Sequence, residues 1–204
     1  MKIQNKKLHT LYQFILENGF ELSIEEIAFG IHITKKTLYN RFGSRQLLEN
    51  QVVEFWRELF QSRFNDKCSF TNNYVEQLLL LIYEFEWSLV HEPVFLKREI
   101  QNYNTFFKPD NPFLSNIVLQ VIKQGQENGE FSSTIQDEKF IRFFLFNIFE
   151  LFLKESFPHV FIHSNDTISS EIEYEYIQYL ITPILTKEGL KNYEEINLNL
   201  LLTV

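Results

Sequence analysis

His159 and His163 stand four residues apart, the spacing at which a helix turns two imidazoles to one side and can offer them to a metal. They follow Pro158 in a stretch that reads as a loop, and no third ligand lies near them, so no metal centre is expected. The single cysteine, Cys68, would need an activating base to act as a nucleophile, and the sequence identifies none. Glu171, Glu173 and Glu175 alternate along a helix and read as a solvated face. Glycine-rich phosphate loops, Gly-x-Ser-x-Gly elbows and metalloprotease His-Glu signatures are missing from the sequence. The expectation is a chain that is not an enzyme and needs no metal or cofactor.

The residues best suited to chemistry are hydrogen-bond donors and cations. The stretch TKKTLYNRFGSR, from Thr34 to Arg45, carries Lys35, Lys36, Arg41 and Arg45 in a chain of 204 residues with a formal net charge of −8. Residues 1–50 hold seven Lys or Arg against five Glu, a net of +2, so the acidity belongs to the remainder. An acidic chain does not coat nucleic acid, yet a local field governs binding more than the sum does. The split points to two lobes with different partners.

Helices must position these groups. Leu8, Leu11, Tyr12, Ile15 and Leu16 form the stripe of an amphipathic helix over 5–18, which Asn18-Gly19 ends. Ser23 and Glu26 make a capping box for a short second helix reaching Phe29-Gly30, with Ile24, Ile27 and Ala28 inward. Thr34 caps a third helix to Phe42, and Gly43-Ser44 breaks and recaps the chain into a longer fourth. The fourth carries Leu47, Leu48, Val52, Phe55, Trp56, Leu59 and Phe60. Further helices are predicted over Tyr74–His91, from Pro93, from Pro112 to Glu127, over Gln136–Ser156, and from Ser170 to about Leu185, the last bent or weakened by Pro183. Alternating strand patterns and internal repeats are not apparent.

Three short helices, the last two joined tightly and the third basic, outline a helix-turn-helix unit. With Leu38 and Phe42 inward, a 100° step per residue places Lys36, Thr37, Tyr39 and Asn40 outward, beside Lys35. Thr34, Lys35 and Tyr39 suit phosphates, while Lys36, Thr37 and Asn40 can reach base edges. Arg41 lies at the margin of this face, open to either a phosphate contact or a surface ion pair.

The stretch IEEIAFGIHITKKTLYNRFGSRQLLENQV closely resembles the TetR family of bacterial transcriptional regulators. The matching residues are Ile27-Ala28, Thr34, Thr37-Leu38-Tyr39, Phe42 and Ser44-Arg45, within about 45 residues. His32 replaces the family's usual turn glycine, Lys36 replaces a frequent glycine early in the recognition helix, and Arg45 keeps the charge of the usual lysine for a phosphate. The resemblance implies an all-α chain, with an N-terminal three-helix helix-turn-helix domain (1–46) and a larger helical ligand-binding and dimerisation domain (47–204). It also implies a palindromic operator, a homodimer paired through its last two helices, and a small effector. The piece VIKQGQENGEFSSTIQDEKF resembles the link between the family's seventh and eighth helices.

The remainder is rich in aromatic residues, 22 Phe, 9 Tyr and 2 Trp across the chain, enough to line a cavity as well as a core. Polar residues on apolar faces mark ligand candidates: Trp87 and His91 one turn apart, Tyr103, and Asn147, which could equally bond across a dimer interface or edge a solvent face. The apolar Gln136–Ser156 segment is broken by Arg142, Asn147 and Glu150 and is too short to span a membrane. With no secretion signal after the basic start, the expected compartment is the cytoplasm. The reading from the sequence is a ligand-responsive repressor released by a small, largely apolar or aromatic molecule. The alternative is an all-helical small-molecule-binding protein, or an unrecognised enzyme, with a degenerate helix-turn-helix.

Overall fold

The computed structural model describes residues 2–102, 113–135, 137–152 and 170–196. The helices are α1 (Lys2–Asn18), α2 (Ile24–Gly30), α3 (Lys35–Phe42), α4 (Arg45–Cys68), α5 (Tyr74–His91), α6 (Pro93–Asn102), α7 (Phe113–Glu127), α8 (Asp137–Phe152), α9 (Ser170–Ile181) and α10 (Lys187–Glu195). Among the described residues the sole β pairing is an isolated bridge between Phe131 and Leu185. No described helix is long and apolar enough to cross a membrane.

Local chemistry accounts for the helix starts. Hydroxyls of Ser23, Thr34, Ser44 and Thr186 and the amide of Asn73 each accept a hydrogen bond from a backbone N–H in the first turn of the helix they precede. The sequence reading missed α10. It also carried the previous helix through Pro183, whereas α9 stops at Ile181 and Pro183 sits in a 3₁₀ turn, Thr182–Ile184. A pyrrolidine nitrogen cannot donate the bond that would continue an α-helix, so the chain tightens there and restarts at Thr186.

The central helix is α5, packed by α4, α6, α7, α8 and α10, and it is apolar on nearly every side: Val75, Leu78, Leu79, Leu80, Leu81, Ile82 and Phe85 are buried. Its N-terminus is capped from afar, the backbone N–H groups of Tyr74 and Val75 donating to Glu130 Oε2 at 2.8 and 3.1 Å. A close approach seals the same corner, because a Cβ on Gly189 would stand 2.1 Å from the Glu130 carbonyl oxygen.

Helix α1 packs on α4 and α6, which fixes the N-terminal three helices against the rest. Aromatic rings carry that junction. Phe95 of α6 stacks on Tyr12 at 5.0 Å between ring centres and on Trp56 at 6.1 Å, and meets Phe20 edge-on at 5.5 Å. Trp56 and Phe60 continue the contact to Phe85 and Phe113. Many of the aromatic side chains are thus core, packed ring against ring. One apolar expectation fails: Leu47, read as an inner residue of α4, is 54% exposed.

Candidate nucleic-acid interface

Helix α2 opens with the capping box expected for it. Ser23 Oγ accepts from the Glu26 N–H at 3.2 Å, and the Glu26 carboxylate accepts from the Ser23 N–H at 2.7 Å. The chain then turns sharply. The His32 N–H donates to the Phe29 carbonyl at 3.1 Å, and the Ile33 N–H to that of Ala28 at 2.9 Å. His32 takes up the turn with φ of 54°, left-handed backbone that glycine adopts without cost. Thr34 caps α3 through the Thr37 N–H at 3.1 Å, and the two threonine hydroxyls bond to one another at 2.9 Å.

Leu38 and Phe42 are buried, at 1% and 4% exposure, and fix which way α3 faces. Lys35, Lys36, Tyr39, Asn40 and Arg41 are exposed, and Thr37 is half-buried. Lys36 and Arg41 have no ion-pair partner among the described residues, whereas Lys35 is paired with Glu25 of α2. The end of α3 is tied to α4, where Gln51 Nε2 donates to the Phe42 carbonyl at 3.2 Å. Gly43 makes the corner with φ 76° and ψ −134°, a backbone conformation that belongs to glycine.

Arg45, expected to meet a phosphate, has partners within the chain. Its guanidinium donates to the carbonyls of Phe20 and Leu22 and pairs with Glu49, so its donors bind the link between α1 and α2 to the start of α4. The expectation rested on charge and sequence position. Partners 25 and 23 residues away were beyond any local signal.

Behind this head lie four carboxylates that the sequence reading did not single out, each bridging helices. Glu92, between α5 and α6, is buried and accepts four hydrogen bonds: from the Tyr12 hydroxyl (2.5 Å), Trp56 Nε1 (2.7 Å) and two Arg63 nitrogens (2.8 and 3.1 Å). Arg63 also donates to buried Glu84 at 2.7 Å, with the Lys67 ammonium 3.4 Å from the other oxygen. Burial, and then the bond to Glu92, pushes the Tyr12 phenol far above its ordinary range. Nearer the head, Arg98 of α6 donates to Glu49 at 2.5 Å and lies over the Phe20 ring. Glu99 is fully buried with Arg57 at 2.7 Å, its second oxygen has no hydrogen bond among the described residues, and burial raises its carboxyl. Charges can stay in such places only when paired, and each of these is.

No family model and no curated protein matches the chain by sequence. Solved structures do match it by shape. The fatty acid degradation regulator FadR from Bacillus halodurans superposes with a TM-score of 0.64 at 12% identity, covering 87% of this chain and 94% of its own. A protein from Mesorhizobium loti described as a TetR-family transcriptional regulator gives 0.60 at 14% identity, with 90% and 96% covered. AibR, solved with isovaleryl coenzyme A and operator DNA, gives 0.55 at 14% identity, with 87% and 95% covered. The chain has the TetR-family fold.

Of the four ligand candidates, Trp87, His91 and Asn147 lie among the described residues. Trp87 and His91 stack on each other at 4.4 Å, but His91 is exposed and Trp87 is 36% exposed, with the Arg63 guanidinium over its ring. His91 Nδ1 lies 2.9 Å from the Trp87 carbonyl, which explains the pair as a helix-surface contact. Asn147 donates to the Phe143 carbonyl one turn back in α8 at 2.7 Å. Tyr103, His159 and His163 lie outside the described residues. Cys68 is half-buried, and burial, with the charge of Glu76 adding to it, pushes its thiol up to about 12.

Proposed function

We propose that the chain is a TetR-type transcriptional regulator: a homodimer that sets two copies of α3 into successive major grooves of a palindromic operator and is released by a small, largely apolar ligand. The observation that carries this reading is the outer face of α3. Lys36, Tyr39, Asn40 and Arg41 project from a helix whose orientation is held by buried Leu38 and Phe42. Lys36 and Asn40, near the start and middle of the helix, suit base edges; Thr34, Tyr39 and Arg41 suit phosphates. Arg45 supports the site from behind by holding the head's link to α4.

The superposed AibR structure with operator DNA and isovaleryl coenzyme A favours the same pair of partners for this chain. Within the fold, α4 runs from the head into the body, and α6 touches the head through Phe95 and Arg98. A ligand that shifts these two helices changes the separation of the reading heads, and with it the match to half-sites about 34 Å apart. The fold's other occurrences as regulators weigh against an enzyme.

The test is selection of preferred duplexes from a random pool, followed by electrophoretic shift with the wild type and with Lys36→Ala combined with Tyr39→Ala. The wild type is expected to enrich a two-fold symmetric sequence at moderate salt. The double variant should bind it at least tenfold more weakly, since each good base or phosphate contact is worth about 1–3 kcal/mol. Failure of the wild type to prefer any sequence would sink the reading.

A further inference from the structure

The cations near the outer face of α3 are not equivalent. Lys36 and Arg41 are exposed without an ion-pair partner among the described residues, and Arg45 is engaged with backbone carbonyls and Glu49. Lys35 alone is held by a carboxylate from the neighbouring helix: Glu25, in the first turn of α2. Its ammonium also lies 6.0 Å from the centre of the Tyr39 ring, so the pair sits against the aromatic side chain at the middle of the face. Glu26, the other acid of that turn, is occupied by its bond to the Ser23 N–H, which leaves Glu25 as the carboxylate facing Lys35.

The fold does not need this pair. The Lys35 and Glu25 side chains are 51% and 62% exposed, and ion pairs in such settings add little to stability. Their caps and the buried Ile27, Leu38 and Phe42 already fix α2 and α3. The two charges nevertheless act on each other: hydrogen bonding to Lys35 holds the Glu25 carboxyl below its ordinary range, and the same bond raises the Lys35 ammonium. A carboxylate beside groups that meet phosphates repels DNA and competes for the cation that would bind it.

We propose that Glu25 is a built-in stand-in for a DNA phosphate, occupying Lys35 in the free protein and yielding it only when DNA supplies the replacement. This rests on the regulator reading above and adds a specificity device to it. In exchanging one anion for another, Lys35 gains little from arbitrary DNA, so preference falls to Lys36, Tyr39 and Asn40. The ion count changes as well. Lys35 and Glu25 together are neutral, so the pair displaces almost no counterion from DNA, whereas an unpaired Lys35 would displace roughly one per reading head.

The experiment uses the full chain as wild type, Glu25→Gln, Lys35→Ala and the double variant. Binding is followed by fluorescence anisotropy over a series of KCl concentrations, with a duplex selected from a random pool by the wild type and with a scrambled duplex. Glu25→Gln is expected to tighten binding to both duplexes roughly two- to five-fold per head. It should steepen the salt dependence by about one ion per head and narrow the ratio between selected and scrambled DNA. Lys35→Ala should alter the wild-type slope little and erase the gain in the Glu25→Gln background. An equal gain in the presence and absence of Lys35, or an unaltered slope, overturns the proposal while leaving the regulator reading intact. A wild type that selects no duplex overturns both.

Discussion

His32 concentrates the residue-scale physics of the head. It is the one residue other than glycine, among those described, with left-handed φ, and it stands where the resembled family usually has glycine. An L side chain there crowds the next carbonyl at about 1–2 kcal/mol, while glycine instead loses about 0.5–1 kcal/mol of backbone entropy. His32→Gly should therefore raise stability to urea by up to about 1 kcal/mol, and His32→Val, with branching at Cβ, should lower it. A glycine variant less stable than the wild type would remove strain from the account of this turn. Histidine in place of the usual glycine was legible only through the resemblance to the TetR family, which supplies the glycine to compare it with. What could not be read is where a cation sends its donors. Lys35, Lys36, Arg41 and Arg45 look alike in sequence, yet Lys35 is paired with Glu25, Lys36 and Arg41 are unpaired among the described residues, and Arg45 is engaged with Glu49 and two distant carbonyls.

At the scale of elements, helix starts were legible where a side-chain cap was followed by an apolar pattern or a recognised motif, as at Ser23, Thr34 and Ser44, while the Thr186 cap alone did not reveal a helix. Helix α10, nine residues with few apolar positions, gave no stripe and was missed. The buried carboxylates escaped for another reason: a glutamate on a helix reads as solvated unless the helix is enclosed. Helix α5, expected only as one helix among several, is enclosed, with Leu78 to Ile82 all buried, and Glu84 and Ser88 on it are buried with them. Glu92, at the corner that follows, gathers α1 and α4 through Tyr12, Trp56 and Arg63. Glu92→Ala would leave the Trp56 N–H, the Tyr12 hydroxyl and two Arg63 nitrogens without their acceptor, Glu84 remaining as the partner of Arg63, and should cost about 3–5 kcal/mol in urea unfolding. Tyr12→Phe, which removes a single bond to the same carboxylate, should cost less, about 1–2 kcal/mol. Equal losses would mean that the carboxylate is not the centre of the junction.

Across the whole molecule, the first 50 residues carry a net charge of +2 in a chain of −8, a split that fits the proposed division between a DNA-reading head and the remaining body. In the proposed regulator one head would offer few contacts, so operator affinity would depend on joining two of them. Along α8, Phe140, Phe144, Leu145 and Ile148 turn inward, while Phe143 and Phe146 are 56% and 45% exposed; on α9, Tyr179 is 76% exposed. Large apolar groups placed outward on the last two long helices are what pairing with a second copy would cover. Phe143→Glu with Tyr179→Glu leaves the core untouched and sets like charges against each other across that pairing. A native mass spectrum is expected to change from dimer to monomer, and affinity for a two-half-site duplex to fall about 10²-fold or more as the second head is lost. Lys36→Ala should do the reverse, keeping the dimer mass while weakening DNA. If the doubly charged variant stays dimeric, the interface lies elsewhere than on α8 and α9.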